Sequence, residues 1–307
     1  MSDQWLTDVA QLVEPEIREY LDLDTGAYAA GCYPDADAFH LRVCAEFFNW
    51  TFVIDDRMEY SVVDARETHE SCILAFRDPI NFDTEQFAAK MSKSYDYFFI
   101  AYTLSKTALR RLLAPAAQSE FIRGSELFFA AVAKQVDDRA KGNMYDLESY
   151  IVQRRNVVAL KPCFALIEFV AQIDLPDEVV SHPIIMALED ATNDHISWSN
   201  DIFSYNKEQS RGDAHWHNIV AVLMHDRGLD LQGAMDYAGQ MCKDAIQRFE
   251  TNRAILPSWE EEVDRQVAVY VEGLQNWIVG SLHWHLNSPA MLSRRTRIIR
   301  LLPRRSL

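Results

Sequence analysis

The chain has 307 residues, 49% of them hydrophobic, and a net charge of −16 from 46 acids against 30 bases. That composition supports a sizeable core and excludes disorder, and its acidic balance argues against a nucleic-acid partner, which would want a basic face. The odd set Cys32, Cys44, Cys72, Cys163 and Cys242 has no CxxC spacing and reads as reduced, mostly buried residues of a cytoplasmic protein.

In chain order, Trp5, Val9, Leu12 and Val13 make an apolar helical stripe that closes near Pro15. The start Met1-Ser2-Asp3-Gln4-Trp5 lacks a basic segment followed by an apolar one, as a leader would need. Ile17, Tyr20 and Leu21 suggest a second short helix, and Gly26 to Pro34 reads as loop. Asp35 or Asp37 can cap the next helix, which runs through Phe39, Val43, Phe47 and Trp50 into the acidic cluster Asp55-Asp56-Arg57-Met58-Glu59. Residues 61–94 hold at least one helix, followed by a break at Pro79. Residues 95–113 and 118–140 are helical by period, and 150–173 is a helix interrupted at Pro162. Pro176 and Pro183 bracket a short connection before a helix that reaches Glu208. Gly212 to His217 is loop, and helices over 218–225, 231–254 and 258–285 complete the chain. Strand signals are sparse and there is no repeat, so the expected class is all-α. The uncharged stretch Gly273 to Ser293 carries Gln275, Asn276, His283, His285, Asn287 and Pro289, too polar for an integral membrane segment. The sequence leaves the oligomeric state open.

The chemistry-bearing residues fall in two stretches. In Asn200-Asp201-Ile202-Phe203-Ser204-Tyr205-Asn206-Lys207-Glu208, positions 200, 204 and 208 share one helix face and offer an amide oxygen, a hydroxyl and a carboxylate. Hard oxygen donors without thiolate or imidazole suit Mg²⁺ better than zinc, and Lys207 beside them could contact phosphate. A polar face with no metal is the alternative. Upstream, Asp55, Asp56 and Glu59 follow an apolar run, and clustered carboxylates there repel unless a cation neutralises them.

Together the two stretches resemble the paired metal motifs of class I terpene synthases, DDxx(D/E) and (N/D)Dxx(S/T)xxxE. The continuation Gln209-Ser210-Arg211-Gly212-Asp213 is similar to fungal sesquiterpene synthases of the basidiomycete type. The resemblance implies a single α domain over 1–307, a helical bundle with a central active-site cavity, with 286–307 as an atypical basic tail. It implies three Mg²⁺ ions held by Asp55, Asp56, Glu59, Asn200, Ser204 and Glu208, which bind the diphosphate of farnesyl diphosphate. Ionisation and carbocation cyclisation would follow, with release of diphosphate. Of the pair Arg154-Arg155, the family pattern RRxxxG…P selects Arg155 as the diphosphate contact, with Ala159 where that pattern has glycine. Aromatic faces stabilise carbocations by about 0.5–2 kcal/mol each. Phe48, Phe52, Trp277 and Trp284 are candidates, and Phe52 and Trp284 are selected. His195, His215 and His217 form no metal set and read as surface or loop residues.

Fungal relatives carry an Arg-Tyr pair after a motif like Leu282-His283-Trp284. Here no Arg-Tyr follows, and the basic run beginning at Arg294 and Arg295 either replaces the missing arginine or is a solvated tail. A chain-elongating prenyltransferase and a non-catalytic helical binding protein are the competing readings. The first would need a second aspartate-rich cluster at the Asn200 stretch.

Overall fold

The computed structural model describes residues 21–58, 72–73, 76–77, 115–211 and 217–288, and every regular element among them is helical. Along the described residues the helices are α1 (Thr25–Cys32), α2 (Ala38–Met58), α3 (Pro115–Lys141), α4 (Leu147–Val157), α5 (Leu160–Ala171), α6 (Asp177–Val180), α7 (Pro183–Arg211), α8 (Ile219–Asp226), α9 (Leu231–Ala254) and α10 (Glu261–Asn287). No helix among the described residues is long and apolar enough to cross a membrane. All five cysteines are free, and Cys32, Cys44, Cys72 and Cys163 are buried. The expectations for the chain before Leu21, for 78–113 and for the basic tail lie outside the described residues.

α7 is the axis of the assembly. It packs along α9 and also meets α4, α5, α8 and α10. α10 buries Val267, Tyr270, Val271, Leu274, Trp277, Ser281 and Trp284, the three-and-four spacing that puts one helix face into a core. Two apolar clusters result. The larger joins α1, α2, α3, α5 and α10, and the smaller joins α4 and α8 to parts of α7 and α9. Polar residues of α4 and α7 lie between them.

Two local expectations need correction. The stretch 26–34 is not loop, because α1 occupies Thr25–Cys32, with the Asp24 carboxylate accepting from the Ala27 amide at 3.2 Å. Gly26 and Gly31 lower its intrinsic helicity, and tertiary packing on α10 overrides that. At the crossing Gly31 meets Gly280 so closely that a Cβ on Gly280 would stand 2.3 Å from the Gly31 carbonyl oxygen. The 150–173 helix breaks at Val158–Ala159 and not at Pro162, which sits in the first turn of α5. Proline has no N–H for the carbonyl four residues back and its ring clashes there, so the break falls upstream of it. Asp37, one of the two predicted caps, does cap α2, its carboxylate accepting from the amides of Phe39 and His40 at 2.9 Å each.

The glycine crossing gives a paired prediction. Gly280→Ala should destabilise the protein by about 1–3 kcal/mol, since overpacking against backbone outweighs the roughly 1 kcal/mol gained in helix propensity. Gly239→Ala, in α9 with open space around its Cβ, should instead stabilise by up to about 1 kcal/mol. Denaturant unfolding of both variants checks the opposite signs.

Candidate active site

Asp201, only 1% exposed, is the anchor of the polar seam. Its carboxylate accepts from the Tyr150 hydroxyl, from the Ile219 amide at 2.9 Å and from Arg154 Nε at 3.1 Å. A buried carboxylate is tolerated only when paired and hydrogen-bonded, and here the partners come from α4 and from the start of α8. Asn218 completes the junction. Its Oδ1 accepts from the Val220 amide and so caps α8. Its Nδ2 lies within bonding distance of both the Asp201 carbonyl oxygen, at 2.8 Å, and Glu208 Oε2, at 3.0 Å.

This junction fixes the face that carries Asn200, Ser204 and Glu208. Asn200 Oδ1 accepts from an Arg154 terminal nitrogen at 2.8 Å, and Asn200 Nδ2 lies 2.9 Å from His285 Nε2. Ser204 Oγ is buried one helical turn from the Glu208 carboxylate, whose anion it helps to stabilise, and makes no well-formed hydrogen bond. Burial raises the Glu208 pKa, the Asp201 charge adds to the rise, and the Ser204 hydroxyl, Asn218 and Arg154 oppose it. A hydroxyl between an amide oxygen and a carboxylate that burial disfavours as an anion is a donor set that a hard divalent cation would satisfy. Among the described residues no three His, Cys, Asp or Glu side chains converge as an alternative metal cluster.

Asn200 opens onto a cavity of about 150 Å³ formed by the described residues. Tyr28, Phe48, Phe52, Phe128, Trp277 and Trp284 line its apolar part, and Arg154, Asn200 and His285 its polar part. Trp284 stacks on Tyr28 at 4.4 Å between ring centroids and approaches Phe52 at 6.0 Å. The Trp284 indole donates to the Leu23 carbonyl at 2.6 Å, which fixes the ring plane. Phe52 and Trp284, the two aromatics selected from sequence, thus meet on one wall. The break between α4 and α5 forms part of another. There Ala159, flanked in the lining by Val158 and Leu160, adopts φ 57°, the left-handed region where a side chain is strained. Asn193 of α7 donates to the Arg155 carbonyl at 2.8 Å and holds the end of α4.

The arginine pair divides differently from expectation. Arg154, not Arg155, lines the cavity. Arg155 is turned onto Asp194 through bonds of 2.6 and 2.8 Å, with Asp190 at 3.1 Å, and Arg248 reaches the same Asp194 carboxylate at 2.7 Å. Neighbouring residues on a helix point about 100° apart, so only one of the two can face the pocket. His195 is buried, not at the surface, and burial lowers its pKa to about 4. The backbone of Asp55 and Asp56 lies on α2, three and four residues beyond Phe52, and that of Lys207 on α7. Their side chains, together with Glu59, His215, Arg294 and Arg295, lie outside the described residues.

Sequence reasoning weighed Arg154 but chose Arg155, and it did not single out Tyr150, Asn218 or His285 as site residues. The spacing Tyr150-x₃-Arg154 was a usable signal, since it puts a hydroxyl and a guanidinium on one face. An asparagine directly before the apolar run Ile219 to Met224 was a usable cap signal for Asn218, whereas nothing local in the sequence pointed to His285.

Residues 46–248 match the family described as terpene synthase family 2, C-terminal metal binding. The chain is similar to sesquiterpene synthase Agr1 of Cyclocybe aegerita, 40% identical over 99% of this chain and 86% of that one. It is equally similar to sesquiterpene synthase 1 of Postia placenta, at 40% identity over 99% and 88%. The helices superpose on the crystal structure of an a-eudesmol synthase with a TM-score of 0.81 at 24% identity, covering 93% of this chain and 92% of that one. The fold is therefore that of the class I terpene synthases.

Relief of the left-handed strain is testable. Ala159→Gly should raise stability by up to about 1 kcal/mol, and Ala159→Val should lower it by more than that, because a β-branched residue tolerates this conformation least. Thermal and denaturant unfolding read both.

Proposed function

Because the chain belongs to terpene synthase family 2, as a sesquiterpene synthase of the basidiomycete type, we propose that it ionises farnesyl diphosphate with Mg²⁺ and cyclises the resulting carbocation. The observation that carries the metal assignment is the row of Asn200, Ser204 and Glu208 oxygens on one face of α7, with burial disfavouring the Glu208 anion and Asn200 lining the aromatic cavity. Asn200, Ser204 and Glu208 would hold Mg²⁺ on one side, with Asp55, Asp56 and Glu59 as the acidic counterpart. Mg²⁺ so bound supplies charge stabilisation to the departing diphosphate.

The protein's own groups account for the rest. Arg154 presents a guanidinium fork at the polar end of the cavity, and planar forks suit phosphate oxygens. Its bonds to Asp201 and Asn200 keep that fork aligned before substrate arrives. Lys207 and the tail residues Arg294 and Arg295 are further candidates for the diphosphate end. Phe52, Trp284 and Tyr28 line the far side, where ring faces attract cationic carbon and offer no lone pair that it would alkylate. The same apolar wall keeps water from the cation, and its contour directs which carbons meet.

Incubation with farnesyl diphosphate and Mg²⁺, read by gas chromatography–mass spectrometry, is expected to give a sesquiterpene. A longer prenyl diphosphate, or no product, would contradict the proposal. Glu208→Gln keeps shape but removes a charged ligand and should lower turnover at least about 100-fold with the fold intact. Arg154→Ala should lose far more activity than Arg155→Ala, whose main loss should be stability through its ion pair with Asp194. The reverse order would assign the phosphate contact to Arg155, and equal losses would contradict a distinct role for Arg154.

A further inference from the structure

We propose that His285 is a positioning residue, which holds the Asn200 amide so that its oxygen, and not its nitrogen, faces the metal and diphosphate end of the cavity. The proposal rests on the reading of Asn200 as a metal ligand. His285 is 1% exposed and lies between two aromatic rings, stacked on Phe203 at 5.5 Å and edge-on to Trp284 at 4.9 Å. Its Nδ1 is 2.7 Å from the Ser281 carbonyl oxygen. A carbonyl can only accept, so Nδ1 carries the hydrogen and Nε2 of the neutral ring is left with its lone pair. That lone pair faces Asn200 at 2.9 Å, and only the amide NH₂ can satisfy it.

The opposite end of the amide is determined independently. Arg154 donates to Asn200 Oδ1 at 2.8 Å, and a guanidinium has no acceptor. Turning the amide by half a rotation would set its oxygen against the His285 lone pair and its NH₂ against Arg154, two repulsive contacts in place of two bonds. The amide oxygen is thereby preset toward the cavity before any cation binds. Preset ligands of this kind are why groups behind a metal's own ligands change its affinity by roughly 10–100-fold.

The test uses two substitutions that divide the imidazole. His285→Gln can place an acceptor where Nε2 stands, whereas His285→Asn reproduces only the Nδ1 bond to Ser281. His285→Phe keeps the ring and its stacking but offers no acceptor. Binding of Mg²⁺ together with inorganic diphosphate is measured by titration calorimetry, with thermal unfolding of each unliganded variant as the control on folding. Affinity in His285→Gln should stay within about threefold of the parent, and in His285→Asn and His285→Phe it should fall by roughly 10–100-fold. Glu208→Gln, measured alongside, should lose binding whatever residue stands at 285. If either His285→Asn or His285→Phe folds and binds as the parent does while Glu208→Gln does not, the positioning role is overturned and the metal site stands. If Glu208→Gln binds as tightly as the parent, the metal reading itself fails.

Discussion

The buried carboxylate of Asp201 is the constraint on which the site depends. Three donors of different chemistry, the Tyr150 hydroxyl, the Arg154 guanidinium and the Ile219 amide, converge on it from elements far apart in the chain. Removing one partner of such a pair commonly destabilises by about 3–5 kcal/mol, because the other charge is then left without compensation. The carboxylate therefore ties α4 and α8 to α7 and sets which way α7 is rotated. That rotation turns Asn200 toward the cavity and aligns Ser204 and Glu208 behind it. One residue beside the donor row is thus the structural reason that the row has a defined direction.

The cavity is built as two ends with opposite physics. At one end burial and the Asp201 charge disfavour the Glu208 anion, with Ser204, Asn218 and Arg154 opposing them, a balance that a divalent cation at this face would tip toward the anion. At the other end stacked rings provide a surface that holds positive charge without hydrogen bonds. Separating the two ends would let one pocket bind a highly charged diphosphate and then contain a carbocation, as the proposed function requires. The strained Ala159 at the α4–α5 break also lines the cavity, and Asn193 holds the end of α4 just before it through the Arg155 carbonyl.

Much of this was legible in the sequence, for identifiable reasons. The donor row was readable because residues four apart on a helix must share a face, and the helices of the second half were readable from their apolar period. The α4–α5 break was misplaced because Pro162 acts on the carbonyl four residues back, so its effect appears upstream of its position. α1 was missed because it is stabilised by the Gly31–Gly280 crossing, a contact between residues 249 positions apart that no local propensity reports. The choice between Arg154 and Arg155 depended on where Asp194 and Asp201 lie on α7 relative to α4, a rotation that the sequence of α4 alone does not contain. His285 was invisible for a similar reason. Its role comes from a neighbour 85 residues away.

The proposed chemistry requires that the Asn200, Ser204 and Glu208 face receive a divalent cation together with diphosphate. Anomalous diffraction from crystals grown with Mn²⁺ and inorganic diphosphate tests it most directly, since Mn²⁺ takes the same hard oxygen ligands as Mg²⁺ and scatters anomalously. The expected result is an anomalous peak bonded to Asn200 Oδ1, Ser204 Oγ and a Glu208 carboxylate oxygen, with diphosphate completing its shell. Peaks confined to other carboxylates, with this face left to water, would contradict it.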